Sequence, residues 1–148
     1  MADFCFNIVK GKVRYYTELP AANDALIVVP IETTGIETDS TLKDYDDLLT
    51  LLAGTSNEQT TMGRKTVTAS IVATVDDTND RVDVDMPDLV WTAAAGNAIS
   101  ALLVCYDPDT TTGTDSTVVP LVKLDCVLTP DGTDFTAVIA AAGFYRAA

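Results

Sequence analysis

Apolar and polar positions alternate most regularly between residues 65 and 86. Val67, Ala69, Ile71, Ala73 and Val75 alternate with Thr66, Thr68, Ser70 and Thr74. After a polar stretch, residues 76–80, Val82, Val84 and Met86 alternate with Asp83 and Asp85. A period of two places the apolar side chains of each segment on one face of a strand. The two segments therefore predict an antiparallel hairpin closed by a longer polar loop. Pro87 has no N–H to give and ends the ladder. Leu89 and Trp91, the single tryptophan, follow and are large enough to anchor a core.

Other segments extend the β reading. Residues 25–29 and 98–106 are apolar nearly throughout, as buried strands are, and Pro30 is expected to stop the first. Residues 118–128 read as a strand broken by Pro120. The turn Thr129-Pro130-Asp131-Gly132 then leads into a returning strand in which Phe135, Ala137 and Ile139 alternate with Thr136 and Val138. Residues 4–16 also read as a strand, with Lys10, Lys12 and Arg14 on one face and Val13 and Tyr15 on the other. One stretch has helical spacing: Leu42, Tyr45, Leu49 and Leu52 form a single stripe over about residues 41–53. Asp39 or Ser40 can cap its start, and Gly54 can stop it. The expected fold is mainly β (α+β): antiparallel β-sandwich or barrel-like sheets with one packed α-helix over about 41–53. The 148 residues contain no repeat of fixed period and no linker, so residues 1–148 are expected to form one domain.

Charge narrows the partners. Acidic residues number 22 against 9 basic ones, giving a net charge of −13, and 18 of the acids are aspartate. Aspartate favours turns and loop ends over helix interiors, which fits strands joined by polar loops. Such a surface repels phosphate, so neither nucleic acid nor an anionic membrane is an expected partner. The longest apolar runs are too short to span a bilayer, and residues 1–3 do not begin a signal peptide. Synthesis in the cytoplasm without the usual export is therefore expected.

The chain lacks histidine, which removes Ser-His-Asp and Cys-His machinery, and its glycines form no phosphate-binding loop. Cys105 and Cys126 lie in apolar runs and read as buried thiols, with their pairing left open; Cys5 is the third cysteine. Asp107, Asp109 and Thr111 have the spacing of calcium-loop ligands, but the glycine comes one place late, at Gly113, and Val118 stands where a bidentate glutamate is needed. The cluster Asp76, Asp77, Asn79 and Asp80 also lacks the glycine. Both read as solvated turns. No catalytic residue, cofactor or metal site is expected, and the chain does not read as an enzyme.

Several segments in order along the chain carry a resemblance: Asn7-Ile8 through Lys10-Gly11-Lys12-Val13; Asn23 through Pro30; Asp76-Asp77-Thr78-Asn79-Asp80-Arg81; Cys105-Tyr106-Asp107-Pro108-Asp109; and Thr129-Pro130-Asp131-Gly132 with Gly143-Phe144-Tyr145-Arg146. Together they resemble a family of small acidic virion proteins of tailed bacteriophages, notably of actinobacteria, encoded near the major capsid protein. Lys123-Leu124-Asp125-Cys126 departs from that pattern, since relatives often carry a His-Asp pair there. The resemblance implies a capsid decoration protein on the outer surface of the virion, whose partner is the phage major capsid protein and which forms a homo-oligomer, a trimer being favoured. Residues 1–16 are then the capsid-contacting segment, through Lys10, Lys12, Arg14, Tyr15 and Tyr16. Phe144, Tyr145 and Arg146 are the candidates for self-association. The alternative implied by the same resemblance is a tail-associated module that binds a receptor or glycan through its exposed loops.

Overall fold

A computed structural model describes residues 1–148. Ten strands form three antiparallel sheets. The largest has the order β1 (Phe4–Cys5), β8 (Val119–Leu128), β7 (Ile99–Asp107), β2 (Ala25–Glu32), β3 (Lys65–Val67). The second places β5 (Arg81–Asp85) between β10 (Tyr145–Ala147) and β4 (Val72–Asp76). The third pairs β6 (Leu89–Trp91) with β9 (Phe135–Ala137). The helical pieces are a 3-10 turn at Asn7–Val9 and three short helices, α1 (Val13–Thr17), α2 (Asp39–Leu42) and α3 (Leu48–Leu52). The mainly β expectation holds.

Sheet order follows apolar content. Consecutive residues of β2 and β7 are buried, so both faces of these central strands are covered. They join a single core of 28 buried apolar residues. Burial of this apolar surface is the main force holding the layers together. Trp91 lies in that core with its indole N–H donating to Gly63 O at 2.9 Å, which satisfies the one polar atom it buries. Phe135 stacks on it at 5.6 Å, and Lys65 Nζ sits over the ring at 5.4 Å. The hairpin forms as expected: β4 pairs with β5, Val84 and Met86 are buried, and Asp76 accepts from Thr78 N, Asn79 N and Asn79 Nδ2 across the turn.

Four expectations are corrected. The helix over 41–53 is two helices, because Asp47 takes an extended conformation (φ −143°, ψ 158°) and caps α3, accepting from Thr50 N at 2.7 Å. Leu48 and Leu51 then face the core, and Leu49, on the expected stripe, is 54 % exposed. Residues 4–16 are not one strand. Gly11 (φ +79°) breaks any extension, and the buried residues Phe6, Val9, Val13 and Thr17 recur every three to four positions, the period of helical turns. The segment 65–75 divides at Ser70 (φ +60°), leaving β3 and β4 in different sheets. Neither Pro30 nor Pro120 ends its strand. Pro30 O accepts from Gln59 N on the side away from β7, where β3 has already ended, so the missing N–H disrupts no ladder. Pro120 lies beside the register shift at Val104/Cys105, a bulge that absorbs it. All three cysteines are free thiols, and burial holds the thiol of Cys105 far above its usual range.

Candidate functional site

Local turns position the cations of the N-terminal segment. Phe6 N donates to Leu121 O at 3.0 Å and Asn7 N to Lys43 O at 2.9 Å, which fastens the 3-10 turn to β8 and to the end of α2. Val13 and Thr17 bury one face of α1, and Tyr16 packs its ring on Tyr106 at 4.8 Å. What remains outward is Lys10, Lys12, Arg14 and Tyr15, the last 57 % exposed. Tyr15 is the only aromatic among the exposed large apolar side chains. Lys10, Lys12 and Arg14 are thus all exposed within five positions, carried by turns and a helix and not by a strand face. Tyr16 joins them only by its half-buried ring.

The remaining cations are used internally. Arg64 forks between Glu58 (2.6 Å) and Asp115 (2.6 Å), tying the 55–63 loop to the 107–117 loop. Arg81 bridges Asp76 and Asp83 at 3.2 Å each, and Arg146 joins Asp83 at 2.5 Å. Arg14 pairs with Glu18 one helical turn on, at 3.1 Å. Lys43 and Lys65 lie over the rings of Phe4 and Trp91. Lys123 is fully buried. Its ammonium reaches Asp125, Asp39 (3.4 Å), Ala2 O (3.0 Å) and the face of Phe4 (5.3 Å). Of nine basic side chains, Lys10 and Lys12 alone have neither an ion pair nor an aromatic partner.

Phe144, Tyr145 and Arg146 are brought together but are engaged within the protomer. Phe144 is buried and its N–H donates to Val84 O at 2.9 Å; Tyr145 pairs with Val84 in β10, and Arg146 holds Asp83. What this segment leaves open is the outer edge of β10, which has no strand beyond it.

The acidic loops are internally satisfied. Asp109 accepts from Thr111 and Thr112, backbone and hydroxyl alike, and these bonds hold its carboxyl far below the usual range. Asp131 is lowered in the same way by Thr133. No group of three or more His, Cys, Asp or Glu side chains is arranged to hold a metal ion. Sequence reasoning missed the Lys123 cluster. Its signal was a lone lysine inside the apolar run 118–124, with Asp125 two positions on.

No protein-family model matches the chain, and no curated protein and no solved structure matches it either.

Proposed function

We propose that the chain is a virion protein of a tailed bacteriophage: a capsid decoration protein that binds the outer face of the major capsid shell and stabilises it. One observation carries the reading. In a molecule of net charge −13, the two cations without an internal partner sit two positions apart, beside an exposed Arg14 and Tyr15. Tyr15 and Arg14 are of the types that dominate interface hot spots, and the two lysines beside them add a positive field that steers an acidic partner. The acidic remainder suits the outside of a particle whose inside meets DNA. The resemblance of the ordered segments from Asn7 to Arg146 supports the same class.

The mechanism is avidity. One modest patch per protomer gains strength when symmetric copies span neighbouring capsid subunits. A homotrimer at a threefold position is the assembly this favours. Since Phe144 is committed to the core, self-association falls to the open edge of β10, which Tyr145 and Arg146 themselves form.

Replacing Lys10, Lys12 and Arg14 together by Glu tests the contact. All three are exposed, and replacing the Arg14–Glu18 pair by two like charges is expected to cost about 0.5 kcal/mol, so the variant is expected to stay folded with a slightly lower denaturation midpoint. Its co-sedimentation with shells of its own phage is expected to fall by about tenfold or more at low salt. Undiminished co-sedimentation would remove this patch from the interface.

A further inference from the structure

Lys123 is the only buried basic residue, and it lies where β1 pairs with β8. Two of its ammonium hydrogens have acceptors: Ala2 O at 3.0 Å, and Asp125 two positions on in β8. The Asp39 carboxyl, at the start of α2, comes within 3.4 Å of the same nitrogen through Oδ1. Asp39 Oδ2 accepts from Ala2 N at 2.9 Å, whereas Oδ1 is buried with no hydrogen-bond partner. A buried oxygen without a donor is costly, and so are two buried charges. The face of Phe4 lies 5.3 Å from Nζ, and Phe6 packs on Phe4 at 5.2 Å, so apolar rings border the nitrogen. The amino group of Met1 lies 3.8 Å from Asp125 Oδ2, on the carboxyl that Lys123 also holds.

A lysine nitrogen held against one carboxyl and hydrogen-bonded to a second has the parts needed to make an amide. One carboxyl is the electrophile, and the other moves protons. Groups fixed at about 3–3.5 Å are at near-attack distance and react as if at concentrations on the order of 10⁵ M or more. Burial opposes the charge on Asp39, but Ala2 N–H and the Lys123 ammonium together hold its carboxyl below the usual range. The starting pair is therefore ammonium and carboxylate.

We propose that Lys123 and Asp39 close an intramolecular isopeptide bond, with Asp125 carrying protons between them. Nζ gives a proton to Asp125 and attacks Asp39 Cγ as the free amine. The Nζ–Cγ bond forms and the Cγ–Oδ1 bond breaks. Asp125 passes two protons in turn from Nζ to Oδ1, which leaves as water. Ammonium and carboxylate become one amide and one water, with no net proton and no oxidant. The oxygen that leaves is the one without a partner. Oδ2 stays as the amide oxygen on Ala2 N, and the last Nζ–H stays on Asp125 or Ala2 O. The reaction removes two charges from a buried site, which favours the amide here more than in water. The bond staples α2 to β8, between residues far apart in sequence, and does not depend on what the cationic patch binds.

The test is mass spectrometry of the full chain, purified folded and then denatured. The parent is expected to be lighter than its sequence by one water, and a digest is expected to yield a branched peptide joining residue 39 to residue 123. Lys123→Arg keeps the charge but has no amine to acylate, shares the same chain ends, and is expected to show the full mass of its own sequence. Asp125→Asn keeps a hydrogen-bonding side chain without the proton-carrying carboxyl, and is expected to slow the linkage by about a hundredfold. Circular dichroism checks that both variants fold, and the parent mass decides the question even where one does not. A parent chain still at full mass after prolonged incubation in the folded state would overturn the proposal. So would a water loss mapped elsewhere: to Lys43, to Lys123 with Asp125, or to ring closure at Asp131-Gly132. A folded Asp125→Asn chain that links as fast as the parent would overturn the role given to Asp125.

Discussion

Arg64 shows what single side chains contribute here. Its fork to Glu58 and Asp115 closes two long loops onto each other, and the Arg64 guanidinium holds the Asp115 carboxyl below the usual carboxylate range. A folded-state pKa below the unfolded value of about 3.9 means stability that is present above that value and lost as pH falls through the folded one. Asp115→Asn is therefore expected to be less stable than the parent at pH 7, with the difference closing as pH falls below about 4. Urea titrations of both proteins at several pH values check this; a gap independent of pH would assign the loss to packing instead of charge. No histidine contributes a transition between about pH 5 and 8, so this acid limb is not confounded from above. Lys123 is a harder case to read from sequence. A lysine between Val122 and Leu124 looks like a solvent-facing position of an alternating strand. Burial is tolerated because Asp125, two positions on in β8, and Asp39, from α2, both meet it, and the long-range pairing with Asp39 leaves no local pattern.

Elements were legible where one face alone meets the core. The 82–86 run and the 135–139 run keep their expected parity because a shift by one residue would turn every apolar side chain outward. The hairpin turn at 76–80 was legible because aspartate and asparagine bond their own backbone. Residues 4–16 misled because Lys10, Lys12 and Arg14 alternate while the apolar residues Phe6, Val9 and Val13 do not; the apolar set decides the element. The 41–53 stripe misled for a different reason. Asp47 offers the backbone a cap in the middle of a helical period, and the cap prevailed. Asp47→Ala removes bonds to Thr50 N and Thr50 Oγ1 and is expected to cost about 1 kcal/mol of stability, by the usual loss of an N-cap. A denaturant titration with unchanged midpoint would show that α3 is held by Leu48 and Leu51 alone.

At the scale of the molecule, cations are few and nearly all are spent on internal contacts. Arg64, Arg81, Lys123 and Arg146 neutralise carboxylates that the fold crowds together, and what is left over is concentrated at residues 10–15. This division was half visible in sequence. The clustering of Lys10, Lys12 and Arg14 is a property of the chain, but that Lys10 and Lys12 are free of partners depends on which acids the fold brings near. The groove of about 410 Å³ lined by residues 124–126 and 135–140 was not visible at all, since it lies between segments of different sheets whose relation no local pattern records. The proposed role rests on the free patch meeting a shell. The direct measurement is cryo-electron microscopy of the purified chain added to capsids that lack it. Regular density over the whole outer shell, with the 10–16 segment at the contact, is the expected result. Density confined to the tail or a single vertex, or bare shells at saturating protein, would contradict decoration.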